Sequence, residues 1–253
     1  MEAKASSCVV LTIASVLILA GCSGKSVSDI QSASDSQSAS DSKAKLANAT
    51  LSADQILAQM AEMYSQCKTY TDTGSSTTVM KGKSGTETQL IHFSTAMVRP
   101  SQFRFEYAEQ EKSQCIIWKK DKDIRSWWGD DEKPERNRSL DAALAEATGV
   151  SSGTAHTIPI LLMPHEVTGS ALTELKDPLR GDDQLIDGCN CLSIRGRFPL
   201  GSGTIWIDEG TFLVRKIHQA YKIGEETVDQ TVVYDPVIDE EVAPKLLEYN
   251  PPQ

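Results

Sequence analysis

Between residues 52 and 67 the apolar side chains recur every three or four residues, which is the spacing of one helix face. Ser52 and Gln55 stand in front of this run with the separation of the two partners in a capping box. The apolar face consists of Ile56, Leu57, Met60, Met63, Tyr64 and Cys67. The pattern predicts an amphipathic helix that ends near Cys67 and packs this face into a core.

From Tyr70 onward the apolar residues recur with a period of two, which is typical of half-buried strands. The alternating segments are Gln89–Val98, Phe103–Tyr107, Cys115–Lys119 and Ile124–Trp128. Short charged turns separate them, and connections of this length favour an antiparallel meander.

The second half of the chain begins with helical signals and returns to strands. Ser139 can cap a short helix over Leu140–Thr148, which Gly149 ends, and an apolar run follows over Ile158–Met163. The later strands are predicted over Gln184–Gly196, Thr204–Asp208, Thr211–Tyr221 and Glu226–Tyr234. This order of elements predicts one α+β domain over residues 50–250.

A predominantly apolar run of 13 residues lies ahead of these elements, at positions 8–20. A membrane-spanning helix needs about 20 such residues, so the run has the length of a signal-peptide core. Its end, Leu19-Ala20-Gly21-Cys22, resembles the bacterial lipobox. That motif implies a cleaved signal peptide over residues 1–21 and a diacylglycerol on Cys22, with palmitate among the acyl groups. The alternative is an ordinary secretory peptide in which Cys22 is incidental.

Residues 22–49 are predicted to form the lipidated end and a disordered tether. Gln31–Ser36 is repeated directly as Gln37–Ser42, and the segment has too few apolar residues to form a core. A flexible chain of roughly 25 residues reaches about 25–30 Å, enough to hold a domain away from a membrane surface. Ser23 after the lipobox resembles an outer-membrane address.

The charge balance excludes one class of partner. The chain has 25 Lys and Arg residues against 35 Asp and Glu residues, a formal net charge of −10. Nucleic-acid binding needs a basic surface that neutralises phosphates, so no nucleic-acid partner is expected. Membrane attachment is expected through the lipid anchor alone.

No catalytic motif occurs in the sequence. His92, His156, His165 and His218 lack the spacing of a zinc-binding HExxH helix, and a nucleophile elbow, a P-loop and a dinucleotide fingerprint are missing. We therefore expect a protein that is not an enzyme and that has neither a metal site nor a cofactor.

Motifs spread across the domain resemble those of LolA/LolB-like exported bacterial proteins. They include Tyr64, Cys67, Tyr70, Asp72, Gly74, Phe93, Arg99, Pro100, Phe103, Phe105, Trp127, Trp128, Ser139, Leu140, Ile158, Leu162, Asp187, Gly188, Cys191, Trp206 and Asp208. The resemblance implies an incompletely closed antiparallel barrel, a half-barrel, with helices that cover its concave face. It also implies a hollow that holds the acyl chains of lipoproteins in transit.

The resemblance directs attention to apolar residues that could line such a hollow. On the strands they are Ile91, Phe93, Phe103, Phe105 and Ile116, and on the covering segment they are Ile158, Leu161 and Leu162. Each methylene that they bury would contribute about 0.8 kcal/mol. The same residues can equally form a filled core, and the strand pattern does not separate the two possibilities.

Four cysteines lie in the predicted domain: Cys67, Cys115, Cys189 and Cys191. Export makes disulfides plausible, and four cysteines allow three pairings. The resemblance favours Cys67 with Cys191, because both stand at motif positions. Alternation places Cys191 on the opposite side from Leu192 and Ile194, so this pairing requires a bulge near Gly188.

Together these features predict a lipid-anchored protein of the bacterial envelope, on the periplasmic side and at the outer rather than the inner membrane. It would bind or hand on an acyl-chain ligand or a lipoprotein. The alternative is a structural, interaction or sensor-type binding domain with a filled core. The sequence does not identify a protein partner.

Overall fold

The computed structural model describes residues 51–110, 112–129 and 133–251. Most of them belong to one large antiparallel sheet of 12 strands. The strands are β1 (Thr69–Gly82), β2 (Gly85–Val98), β3 (Gln102–Glu109), β4 (Lys112–Lys120), β5 (Asp123–Trp128), β6 (Glu135–Arg136), β7 (Lys176–Arg180), β8 (Gln184–Ile186), β9 (Cys189–Phe198), β10 (Gly201–Asp208), β11 (Val214–Ile223) and β12 (Glu226–Ile238).

The strand order shows that the sheet is an open half-barrel. It runs β6-β5-β4-β3-β2-β1-β12-β11-β10-β9-β7, and β8 pairs with β9 beside β7. The first and last long strands, β1 and β12, pair in the middle and join two meanders. Strands β6 and β7 form the two edges. The predicted α+β half-barrel is confirmed.

Within the described residues, four helices accompany the sheet: α1 (Ala53–Gln66), α2 (Leu140–Thr148), α3 (Thr154–Thr157) and α4 (Pro159–Leu162). Single 3₁₀ turns lie at Leu172–Glu174 and Pro244–Leu247. The capping box of α1 is formed, because Ser52 Oγ accepts from the Gln55 amide at 3.2 Å and Gln55 Oε1 accepts from the Ser52 amide at 2.8 Å. The predicted first helix is confirmed within one residue of its expected end. No helix in the described part of the chain is both long and apolar enough to cross a membrane.

One face of the sheet, here called the inner face, carries the helices and the apolar core. Side chains from α1, α2 and residues 158–163 pack there against side chains from the strands. The strand contribution includes Phe93, Met97, Phe103, Phe105, Ile117, Leu192, Ile194, Ile205, Ile207, Ile217 and Val232. The opposite face is here called the outer face.

Arg99, in the turn after β2, ties the helices to the sheet. Its Nε donates to the carbonyl oxygen of Cys67 at 2.7 Å, and its Nη2 donates to those of Tyr64 at 3.2 Å and Leu162 at 2.6 Å. These carbonyls lie at the carboxyl-terminal ends of α1 and α4, where helices leave acceptors unpaired. The side chain therefore holds both helix ends against one edge of the inner face.

The strands β7 and β8 differ from the prediction. The strand expected over Gln184–Gly196 is two strands, because Asp187 and Gly188 have positive φ values of 47° and 85° and turn the chain between β8 and β9. Strand β7 was not predicted. It contains Pro178, a residue confined mostly to sheet edges, and β7 is an edge strand.

Candidate functional site

The residues predicted to line a hollow lie mostly in the filled part of the inner face. Phe93, Phe103 and Phe105 are 5%, 1% and 0% exposed and pack within the apolar core. Ile158, Leu161 and Leu162, which were predicted to cover them, belong to the same core. Ile91 is also fully buried on the inner face, in register with Val232 across β1. In this half of the sheet the helices fill the space.

The prediction for Ile116 is wrong about the face of the sheet. Phe105 pairs with Ile117, whereas Ile116 pairs with Glu106 on one side and Trp127 on the other. Cross-strand partners share a face, so Ile117 is the inner residue and Ile116 is buried on the outer face. An irregularity in the β3–β4 register, between Tyr107 and Ala108, lies beside this position.

The other half of the inner face is open. Toward the turns of the β1–β2 and β11–β12 hairpins lies a cavity of about 490 Å³, here called the inner cavity. Its apolar wall consists of Met80, Ile217, Tyr221, Ile223, Val228, Val232 and Tyr234. The segment from Thr148 to Gly153, between α2 and α3, closes one side of it. This volume lies within the usual range of about 300–1,000 Å³ for ligand sites.

A second cavity of about 850 Å³, here called the outer cavity, adjoins the first. Both are lined by Thr157, Leu200 and Gln219, so the two spaces share a boundary. The outer cavity is also lined by Leu172, Leu175 and Phe198, together with parts of the β9–β10 turn. Leu200 at this turn is 67% exposed and Ile223 at the rim of the inner cavity is 57% exposed. The two cavities together are here called the hollow.

The register groups the inner-face residues in and around the hollow into three rows that run across the strands. The deep row is Ile91, Ser76, Val232, Ile217, Ile205 and Ile194. The polar row is Gln89, Thr78, Gln230, Gln219, Gly203 and Gly196. The rim row is Glu87, Met80, Val228, Tyr221, Gly201 and Phe198. A band of amides and a hydroxyl thus lies between two largely apolar bands.

The polar row also holds the segment that closes the inner cavity. Gln230 Nε2 donates to the carbonyl oxygen of Ser152 at 2.7 Å and to Ser76 Oγ at 3.4 Å. The hydroxyls of Thr78 and Ser152 are 3.4 Å apart. Ser152 and Gly153 have positive φ values of 55° and 82°, so the chain turns sharply at this contact.

Two glycines of the polar row leave space above the strands that apolar side chains from other parts of the chain occupy. A Cβ atom at Gly196 would lie 2.5 Å from Leu175 Cγ, and one at Gly203 would lie 2.7 Å from the Phe198 ring. Leu175 and Phe198 can therefore lie directly on the strands and bound the outer cavity. Glycine within a strand often marks such a close approach, and this signal in the sequence was missed.

Charge is distributed unequally between the two cavities. Among the described residues that line the inner cavity, none has a charged side chain. Glu174, Lys176 and Arg197 line the outer cavity, and Arg197 Nε donates to Asp177 Oδ2 at 2.9 Å. Burial raises the pKa of Tyr234 well above its ordinary value, so its hydroxyl stays protonated in the inner wall. The inner cavity suits uncharged chemistry.

A buried acid lies under the helices, apart from these cavities. Asp72 is 4% exposed, and its Oδ2 accepts from the Tyr70 hydroxyl at 2.8 Å. Burial raises the pKa of Asp72 to about 6, against the lowering effect of the Tyr70 and Thr95 hydrogen bonds. The Tyr64 ring lies 5.6 Å from the Tyr70 ring, and the Tyr64 hydroxyl accepts from the Val214 amide at 3.0 Å. The cluster joins α1 to β1 and β11.

The four cysteines of the domain are free thiols, so the expected disulfide between Cys67 and Cys191 is not formed. Cys67 lies in the apolar core of the inner face. Cys191 lies on the outer face, since Leu192 and Ile194 point to the core, and no bulge reverses it. Burial raises the pKa of Cys67 to about 11 and that of Cys191 to about 12, so both stay protonated and unreactive at neutral pH.

Two of the histidines make local contacts. His156 Nε2 lies 2.7 Å from the Thr168 carbonyl oxygen, and His218 Nε2 lies 3.1 Å from Asp229 Oδ2. Over the described ranges, no three His, Cys, Asp or Glu side chains are grouped so that they could hold a metal ion.

Comparison with known proteins finds similarity at the level of the fold. No family profile and no curated protein matches the chain. Solved structures that do match include LprF from Mycobacterium bovis, with 12% identity, a TM-score of 0.43, and coverage of 76% of this chain and 94% of that one. Lipoprotein LppX from Mycobacterium tuberculosis matches with 12% identity and a TM-score of 0.41, over 74% of this chain and 97% of that one.

A LolA superfamily protein from Nitrosomonas europaea also matches, with 11% identity and a TM-score of 0.33, over 79% of this chain and 99% of that one.

Proposed function

We propose that the protein is a lipid-anchored carrier of the bacterial envelope that holds an acyl-chain ligand in the open half of its half-barrel. The observation that carries this proposal is the hollow itself, two adjoining cavities of about 490 and 850 Å³ with an apolar wall. Each methylene that enters such a wall contributes about 0.8 kcal/mol.

The rim of the hollow favours a ligand that enters and leaves. Leu200 and Ile223 are exposed at two hairpin turns beside the opening of the hollow. An acyl chain that passes through this opening could keep part of its apolar surface in contact with these two side chains. In a fully packed core we would expect these apolar side chains to be covered. The filled half of the sheet, held by α1 and α4, provides the rigid scaffold for the open half.

The predicted lipid anchor and tether also fit this proposal. Lipidation of Cys22, followed by a tether to about residue 49, would keep the hollow within reach of the membrane that supplies or receives the ligand. Several acyl chains on one residue make a durable anchor, whereas a single chain binds only marginally.

A substitution that fills the inner cavity tests the function. Val228 lines the inner wall on β12, so Val228→Trp should abolish binding of a fluorescent acyl probe by the full chain while the protein still folds. Val79→Trp is the matched control, because Val79 pairs with Asp229 on the outer face beside it. Equal probe binding by both variants, or no binding by the parent protein, would contradict the carrier function.

A further inference from the structure

We propose that the polar row recognises the carbonyl group of an ester or amide, so that the hollow takes acylated ligands in preference to free fatty acids. This inference rests on the proposed carrier function and names the ligand class of the same site. Its basis is the band of Gln89, Thr78, Gln230 and Gln219 that crosses an otherwise apolar wall. Gln230 is buried and donates to Ser152, and the half-buried Gln89 donates to Glu109 Oε1 at 2.6 Å. Gln219 is half-buried in the same row.

Gln219 is the residue of this row best placed to meet a ligand. It lines both cavities and stands at their boundary. Its row neighbours are Gln230, whose amide donates to Ser152, and Gly203, which has no side chain. Within the described chain, no hydrogen bond occupies the Gln219 amide, which leaves its N–H groups free to donate to a carbonyl oxygen.

The spacing of the rows matches an ester rather than a terminal acid. The deep row and the rim row each lie two residues from the polar row along the strands, about 6.6 Å on either side. A ligand hydrogen-bonded to Gln219 would therefore have apolar wall in both directions, against Ile217 on one side and Tyr221 on the other. An ester or amide carbonyl has carbon on both sides, whereas a carboxylate has carbon on only one.

The distribution of charged residues also favours a neutral carbonyl over a carboxylate. A fatty acid is ionised at neutral pH, and its carboxylate would enter an inner cavity where no described lining residue offers a cation. Burying an unpaired carboxylate is far more costly than burying a hydrogen-bonded carbonyl. The cations Lys176 and Arg197 line only the outer cavity, and Arg197 is already paired with Asp177. A neutral carbonyl is the group that the polar row can satisfy.

The test compares two ligands with the same acyl chain. Monoolein and oleate are titrated at pH 7.5 against the full chain, with displacement of a bound fluorescent dye as the readout. We expect monoolein to bind about tenfold more tightly than oleate. Gln219→Leu, which keeps the size but removes the donors, should weaken the binding of monoolein about tenfold, which is the effect of one hydrogen bond. Gln102→Leu, on the outer face of β3, is the matched control.

The outcomes separate this inference from the function on which it rests. If neither dye nor lipid binds the parent protein, the carrier function fails. If both lipids bind but oleate binds as tightly as monoolein, or Gln219→Leu binds monoolein as the parent does, the carbonyl recognition is overturned and the carrier function stands. The comparison on the parent protein needs no variant, so it decides the matter even if Gln219→Leu does not fold.

Discussion

Gln230 Nε2 on β12 donates to the carbonyl oxygen of Ser152 at 2.7 Å, across the inner cavity from sheet to covering segment. The two residues are 78 positions apart in the chain. This bond fixes the segment between α2 and α3 over the open half of the sheet. Since Gln230 also belongs to the polar row, the wall of the hollow and its cover are held by the same side chain.

Removal of this bond should loosen the cover. Gln230→Leu leaves the Ser152 carbonyl without its donor, at a cost of about 1 kcal/mol, and should speed amide hydrogen exchange over residues 149–154. The Gly153 amide, which donates to the Thr148 carbonyl at 2.8 Å, is a reporter within that turn. Gln219→Leu should leave exchange there unchanged. Identical exchange in the parent and Gln230→Leu would show that the bond does not hold the cover.

Arg99 should contribute more to the stability of the domain than any exposed arginine. Arg99→Ala removes three hydrogen bonds from a charged donor to helix-end carbonyls and should lower the free energy of unfolding by about 3 kcal/mol. Arg99→Lys can reach fewer of these carbonyls, so its free energy of unfolding should lie between those of the parent and Arg99→Ala. Arg136, with a side chain 80% exposed, is the control, and its replacement by Ala should cost less than about 0.5 kcal/mol in denaturant unfolding. Equal losses for both arginines would contradict this role.

The sequence predicts those elements whose signals are local. The capping box at Ser52 and Gln55 and the periodic apolar face behind it specify α1 almost to the residue. The alternation of Phe103 and Phe105 correctly places both on the inner face. Adjacent isoleucines carry no such information, since either Ile116 or Ile117 continues an alternating pattern, and the register of β3 with β4 decides between them.

The location of the hollow depends on the tertiary path of the chain. Phe93, Phe103 and Phe105 face inward, but whether they meet helices or open space is decided by where residues 140–175 cross the sheet. Polar residues such as Gln219 and Gln230 suggest a solvated face when each strand is considered alone. Only the pairing of β1, β11 and β12 shows that they form one row.

Asp72 should make stability depend on pH in an identifiable direction. Its pKa of about 6 in the folded protein lies above the ordinary value of 3.8, so the folded state holds the proton more tightly than the unfolded state. Its contribution to stability is full below about pH 4 and is lost as the pH rises through 6.

Asp72→Asn removes this dependence, because the amide stays neutral and its oxygen can still accept from Tyr70. The free energy of unfolding of the variant should rise by roughly 2.5 kcal/mol relative to that of the parent between pH 4 and pH 8. Urea unfolding at both pH values measures the difference. A difference between parent and variant that does not change with pH would contradict the raised pKa.

The lipid anchor is predicted from residues outside the described part of the chain. Cys22→Ser should abolish palmitate labelling and release the protein from the membrane fraction, because the thiol is the group that is acylated. Cys8→Ser is the matched control, since Cys8 lies in the segment that is removed, and it should leave labelling intact. Labelling that persists in Cys22→Ser would rule out this anchor.

If the open half of the inner face holds an acyl ligand, the ligand can be identified in protein purified from cells. The full chain is purified from the cell envelope under mild conditions, and its organic extract is analysed by mass spectrometry beside that of Val228→Trp. We expect an acyl ester or amide in about equimolar amount with the parent protein and its loss from the variant. A lipid-free parent protein, or the same lipid recovered equally from Val228→Trp, would contradict it.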